Sequence, residues 1–376
     1  MKILFIVPSY KPAYIYGGPI VVIARLAEQL VQMGHGVEVY TTTANGGQEL
    51  DIDANTTLVT DGVKVTYFKR ITGDHTHVSP ALWKAVWSNA EQFDKVHIHS
   101  WWNFLVLGAS FILKWKKMKP LLSPHGMFCD YVLTARNNRS KQLLHTVIGK
   151  RLLRNTYLHV SSELEWKECQ QVNSGWEGGK VFNLVDLPGG SYTRTDNDVF
   201  TISFLSRVDP KKGLDLLIRA LSRVSFKYRL LIAGSGDNAY VQTLKELIAS
   251  LNMDNSVEWV GWKGSEDKFH FLAATDLFAL TSRNENFAIV VIESLFVGTP
   301  VLISDQVGLA TYVKEHDMGW VTGIESVDAI GDQLTAAYRD KARRQEISRR
   351  APAKIRSDFD DVTLASSYVQ LYEKCN

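Results

Sequence analysis

Cysteine is scarce in this chain: Cys129, Cys169 and Cys375 are far apart and odd in number. That excludes a disulfide framework and any zinc-type spacing, and it suits a reducing compartment. Long apolar runs are missing too. Ile3-Leu4-Phe5-Ile6-Val7 ends at Pro8, too early for a signal peptide, and reads as a first buried strand. Phe104 to Leu113 is apolar but too short to span a bilayer. No large charge excess exists, with 42 Lys and Arg against 40 Asp and Glu. The chain also lacks a G-x-G-x-x-G turn after its first strand, which weakens a Rossmann-type oxidoreductase reading. No nucleic-acid reading motif and no suitably placed Asp-x-Asp pair is present, so neither a nucleic-acid partner nor a metal site is expected.

What is there is an ordinary globular composition, 45% hydrophobic and 22% charged, over 376 residues. That length implies two domains. Short apolar strands alternate with helical spacing in two series, which predicts an α/β protein with parallel sheets covered on both faces. The first series holds strands at Lys2 to Val7, Val37 to Thr42, Val63 to Phe68, Lys95 to Ser100, Pro120 to Ser123 and Tyr157 to Ser161. Between the first two lies a helix opened by Pro19 and running to about Met33. Asp186 to Asp198 has Pro, Gly and polar residues without periodicity and reads as a linker. The second series starts at Phe200 to Leu205. Its further strands are Arg229 to Ala233, Val257 to Val260, Asp276 to Leu280 and Val301 to Ser304. Arg339 to Cys375 reads as helical.

The turns of the second series carry the chemistry. Arg207 and Lys212 bracket a strand-to-helix turn, where two cations can grip phosphate oxygens. Gly234 and Gly236 form another such turn, open to close backbone approach. Glu285 lies in a third turn and Glu293 about two turns into the following helix, with Asn286 as N-cap. The free N–H groups of that helix start suit an anion such as a diphosphate, flanked by carboxylates that bind hydroxyls. Taken alone, the two glutamates read more readily as ordinary surface groups flanking a helix start.

In order and together, these motifs resemble the family 4 glycosyltransferases: GT-B fold, retaining, nucleotide-sugar dependent. The resemblance spans nearly the whole chain. It rests on Gly17-Gly18, Ser123-Pro124-His125-Gly126, Arg207 with Lys212, Gly234, and Glu285 with Glu293, eight positions apart. It implies two Rossmann-like domains facing each other across a cleft: residues 1–185 for the acceptor, a linker at 186–199, and 200–356 for the donor. Residues 357–376 would form a helix crossing back to the first domain. It makes Arg207 and Lys212 the diphosphate-binding cations, Glu293 the ribose-binding carboxylate and Glu285 the carboxylate beside the donor sugar. The backbone of Asn286, Phe287 and Ala288 would face the sugar or diphosphate, Gly17 and Gly18 the donor phosphate, and His125 the donor sugar. The family often has glycine where this chain has Asn286 and Ala288, and Leu184 departs from it as well. The implied reaction moves a hexosyl group from a UDP- or GDP-linked sugar to a glycan or lipid-linked acceptor in bacterial surface-polysaccharide synthesis. No cofactor and no metal are implied, and the expected place is the cytoplasm. A GT-B epimerase or a non-catalytic sugar-nucleotide binder stays open.

Charge is unevenly spread. Residues 1–185 carry 20 basic and 14 acidic side chains, the remainder 22 and 26. Ten basic residues and the single acid Asp130 fall between Phe111 and Arg154. Lys114, Lys116, Lys117, Arg136 and Arg139, with His99 and Trp101 near the end of a strand, are candidates for an acceptor or membrane face. Peripheral contact with anionic lipid and a plain solvated basic face weigh equally.

Overall fold

The structure is a computed structural model that describes residues 1–129, 149–190, 192–194, 197–264 and 266–375. The chain forms two compact units, residues 1–185 with 359–376, and residues 186–358.

The first unit is built on an eight-stranded sheet. Its strands are β1 (Lys2–Ile6), β2 (Gly36–Thr42), β5 (Thr56–Thr60), β6 (Val63–Phe68), β7 (Lys95–His99), β8 (Leu121–Ser123), β9 (Tyr157–Val160) and β10 (Gly178–Lys180). A small antiparallel pair, β3 (Ala44–Asn45) and β4 (Gln48–Glu49), lies beside it. The sheet order is β10-β9-β8-β7-β1-β2-β6-β5. All neighbours are parallel except the edge pair β5 and β6. Helices α1 (Gly18–Gln32), α2 (Pro80–Asn89), α3 (Phe104–Trp115), α4 (Lys150–Leu153) and α5 (Glu163–Val172) connect the strands. Residues 3–6 are completely buried, as a central parallel strand requires.

The second unit has six parallel strands. They are β11 (Phe200–Leu205), β12 (Tyr228–Ala233), β13 (Val257–Gly261), β14 (Leu277–Leu280), β15 (Val301–Ser304) and β16 (Gly319–Thr322). Their order is β13-β12-β11-β14-β15-β16. Its helices are α6 (Leu214–Leu221), α7 (Asn238–Ser250), α8 (Asp267–Ala273), α9 (Ile289–Phe296), α10 (Ala310–Glu315), α11 (Val327–Arg339) and α12 (Lys341–Asp358). The segment read as a linker is partly tied into this unit. Tyr192 stacks on Phe269, and Arg194 donates to the carbonyls of Gly298 and Thr275 and to Ser348.

The last helix, α13 (Asp361–Lys374), belongs to the first unit. Leu364, Tyr368, Leu371 and Tyr372 recur at helical spacing and are buried. Arg25 on α1 donates to Asp361, and Lys95 donates to the Cys375 carbonyl at 2.6 Å.

Each sheet reverses its strand order once. In the first unit the chain runs outward from β1 through β2 and returns to β7 on the other flank of β1. In the second it runs from β11 to β13 and returns to β14. Loops leaving the carboxyl ends of such strand pairs part in opposite directions and leave a crevice, the usual ligand position in open α/β sheets.

Candidate functional site

The reversal in the second unit collects the predicted cations and carboxylates. Lys212 follows β11 and Glu285 follows β14, and their half-buried side chains form an ion pair. Two devices hold the loops together. Gly213 has φ +66, and a Cβ there would stand 1.9 Å from the Thr281 carbonyl oxygen, while the Thr281 hydroxyl donates back to the Gly213 carbonyl. Only glycine permits that approach. Arg283 forms a bidentate pair with Asp215 at 2.8 and 2.7 Å and donates to the Pro210 carbonyl at 2.6 Å. Burial alone would raise the Asp215 carboxyl, but the Arg283 guanidinium outweighs it and holds the group below the usual range. The sequence reading assigned no role to Arg283 or Asp215. A positive residue two places before a site carboxylate was the available signal.

Arg207 lies in the same loop, exposed and without an ion pair among the described residues. Gly234 and Gly236 pack against that loop. A Cβ on either would come within 1.9 Å of a carbonyl oxygen, of Ser206 or Val208. The close approach that these glycines allow is therefore to a neighbouring loop.

Two expectations about the glutamate helix need correction. Asn286 does not cap it. The N-cap is Ala288, in the left-handed region with φ 67, and α9 begins at Ile289. Glu293 consequently sits about one turn into the helix rather than two. A residue with a Cβ at φ 67 carries strain that the glycine usual in the family at this position would avoid. Phe287 and Ala288 are buried. Glu293 is 6% exposed and pairs with Lys268 on α8. Burial raises its carboxyl above the ordinary range, opposed by Lys268. Lys268 was not singled out from sequence, because nothing local marks it.

In the first unit, Gly17 has φ 75 and ψ −142 and starts α1, with Gly18 as its first residue. His125 follows β8 in a left-handed turn, φ 52, with Gly126 at φ 75. Buried Glu165 fixes this turn, accepting from the Gly126 N–H at 2.7 Å and the Ser161 N–H at 2.9 Å. His125 and His99 are joined Nε2 to Nδ1 at 3.1 Å, with stacked rings. Burial pushes His125 down to about 3.

Beneath them runs a buried chain whose proton order can be worked out. The Val181 carbonyl can only accept, so His159 Nε2 donates to it at 2.9 Å. His159 Nδ1 then accepts from Ser123 Oγ at 2.6 Å, Ser123 Oγ accepts from His97 Nε2 at 2.7 Å, and His97 Nδ1 accepts from the Tyr372 hydroxyl at 2.8 Å. Both histidines on this path stay neutral because burial lowers His97 and His159, the latter to about 4.

Trp101 has no exposed surface and packs on Phe128 in the core. A side chain so placed presents nothing to a bilayer or an acceptor, which corrects the sequence expectation. Trp102 instead borders a cavity at the carboxyl ends of β1, β7 and β8. Among the basic candidates, Lys114 donates to the Arg151 carbonyl at 2.9 Å. Lys116 lies over Trp87, 5.2 Å from the ring centroid, and pairs with Glu91. Lys117 is exposed. Phe111, Trp115 and Trp87 are exposed on α3 and α2 beside these lysines. Arg136 and Arg139 lie outside the described residues. No group of three or more His, Cys, Asp or Glu that could hold a metal occurs among the described residues. No described helix is long and apolar enough to cross a membrane.

Two Rossmann-like sheets with their loops so arranged define a glycosyltransferase of GT-B fold. Residues 16–162 match the model of Glycosyltransferase Family 4, and residues 193–354 match that of Glycosyl transferases group 1. The chain belongs to the family 4 glycosyltransferases. It is 24% identical over 402 aligned positions to an uncharacterized glycosyltransferase of Methanocaldococcus jannaschii, covering 99% of this chain and 98% of that protein. It is 26% identical over 210 residues to the lipopolysaccharide core biosynthesis glycosyltransferase LpsE of Rhizobium meliloti, and that match spans 56% of this chain and 59% of that protein. The solved structure of Anabaena HepE in complex with UDP superposes with a TM-score of 0.76 at 18% identity, covering all of both chains.

Proposed function

We propose that this glycosyltransferase moves a hexosyl group, with retention of configuration and without a metal ion, from a UDP- or GDP-linked sugar to a glycan or lipid-linked acceptor of surface-polysaccharide synthesis. The carrying observation is the Lys212–Glu285 pair at the strand reversal of the second unit, with Arg207 in the same loop and Glu293 on α9. In the proposed role, Arg207 and Lys212 neutralise charge that grows on the departing diphosphate. Glu285 exchanges its partner for a donor-sugar hydroxyl, and Glu293 accepts from ribose hydroxyls. The family membership, the R. meliloti relative and the UDP bound to HepE support this reading. No described carboxylate is assigned as a covalent nucleophile; the diphosphate oxygen takes the acceptor proton.

Calorimetric titration of UDP and GDP into the full chain without divalent metal tests the donor half. One nucleotide is expected to bind, and Lys212→Ala to weaken it by roughly 1.5–3 kcal/mol, the worth of a hydrogen bond to a charged group. Unchanged affinity would remove Lys212 from the site.

The acceptor half includes contact with an anionic bilayer through α3, where Phe111 and Trp115 are exposed beside Lys114 and Lys117. Flotation with vesicles containing phosphatidylglycerol is expected at low salt and is lost in Trp115→Glu. Equal flotation with neutral vesicles would refute the electrostatic part.

A further inference from the structure

Unpaired buried polar atoms and left-handed backbone gather at one place in the first unit. Ser9 Oγ, His77 Nδ1 and His99 Nε2 have no hydrogen-bond partner among the described residues. The three residues are 4%, 5% and 1% exposed. Each such atom gives up its hydration on folding with nothing in return, which destabilises the fold. All three residues line the same cavity of about 520 Å³. Of the non-glycine residues at positive φ, His77 (φ 48), Ser100 (φ 74) and His125 (φ 52) line it as well. Backbone strain and unsatisfied groups are each kept at a cost in stability, and both together at a strand reversal mark a binding site. The volume falls within the roughly 300–1,000 Å³ of small-molecule pockets.

The wall has one chemical character. Val7, Ile20, Ile23, Met127 and the ring of Trp102 give it an apolar face. No Asp, Glu, Lys or Arg lines it among the described residues. The cation beside His77 is Arg70, which is held by other partners. It pairs with Glu49 and donates to the carbonyls of Asp74, Gly46 and Gln48. Burial, reinforced by Arg70, pushes His77 down to about 4, so its ring brings no charge to the wall near neutral pH. A ring with one apolar face and several hydroxyls matches such a wall, whereas a phosphate ester would lose its hydration without a counter-charge.

We propose that this cavity seats the acceptor's terminal sugar and that this sugar is an uncharged hexopyranoside, not a sugar phosphate. The proposal rests on the transferase reading above and adds the acceptor class. Entry of the ring turns Ser9 and His77 so that their unpaired atoms meet sugar hydroxyls, while the apolar ring face lies against Trp102 and the aliphatic wall.

Saturation-transfer NMR on the full chain tests it, with the methyl α-pyranosides of glucose, galactose and mannose and with their 6-phosphates. At least one neutral glycoside is expected to receive saturation, and its 6-phosphate to bind at least about tenfold more weakly. Ser9→Ala and His77→Asn (asparagine tolerates the left-handed backbone) are expected to weaken the glycoside several-fold. Ser9→Ala should leave the thermal midpoint unchanged or raised, because it removes an unpaired buried group. Tighter binding of the phosphates overturns the proposal, as does a lowered midpoint in Ser9→Ala with glycoside binding intact. UDP and GDP in parallel samples separate the two readings. A bound nucleotide with no bound glycoside overturns the acceptor class alone. A bound glycoside with no bound nucleotide supports the cavity and counts against the donor assignment.

Discussion

At the residue scale, the Lys212–Glu285 pair is the informative contact, because each partner blocks the other's proposed ligand. A lysine facing a carboxylate is half neutralised before a diphosphate arrives. Glu285→Gln should therefore have opposite effects on two measurements. Affinity for the nucleoside diphosphate alone is expected to rise two- to fivefold, since partly exposed ion pairs contribute roughly 0.2–1 kcal/mol. Turnover of the nucleotide sugar is expected to fall, since the hydroxyl acceptor is lost. Calorimetry beside a transfer assay checks both, and a fall in diphosphate affinity would show that the pair does not compete with the ligand. Lys212 and Glu285 were legible singly in the sequence as turn residues. Their pairing was not, because 73 positions separate them and strand order alone brings them together. Ala288 shows the opposite failure. Its left-handed cap is invisible to any preference scale that reads Asn286 as the better capping residue.

At the element scale, strands β7 and β9 and the turn after β8 carry a histidine layer that is stable only when neutral. Burial lowers His97, His99, His125 and His159 relative to the unfolded chain, where their pKa is near 6.5. A depressed folded pKa means that the unfolded state binds more protons below the ordinary value. The stability contributed is whole above about pH 6.5 and drains away as pH falls toward about 4 for His159 and about 3 for His125. Urea midpoints of the first unit, followed by tryptophan fluorescence, are expected to drop between pH 7.5 and pH 5. Constant midpoints would mean that these rings are more hydrated than the packing implies. The central strands themselves were plain in the sequence, because continuous apolar runs such as Ile3 to Val7 admit little else. The edge strand Thr56–Thr60 and the short Gly319–Thr322 were not read. The first is largely exposed and the second has only four residues, so neither has a pattern long enough to stand out. The cavity was equally hidden, since Ser9 and His77 come from two loops and His99 from the end of β7, with no shared motif.

At the scale of the whole molecule, the first unit is discontinuous in the chain, completed by residues 359–376. Helix α13 supplies the Tyr372 hydroxyl to His97 and packs Leu371 where a Cβ on Gly179 would stand 2.5 Å from its Cδ1. A fragment of residues 1–185 lacks these contacts and leaves His97 Nδ1 without its donor. It is expected to be poorly protected in amide exchange, and a synthetic 359–376 peptide added in trans to restore protection of β7 and β8. Native-like protection in the fragment alone would show that the helix is dispensable.

The same connectivity orders events during synthesis. The ribosome delivers β1 before the second unit and α13 after it, so the first unit waits, incomplete, while all of the second is translated. At about 5–20 residues per second, the 173 intervening residues take on the order of ten seconds. Through that interval the strand bearing His97 lacks its final cover. A nascent chain of this design therefore exposes the core of its first unit to chaperones longer than that of its second, and late stalling would strand it there.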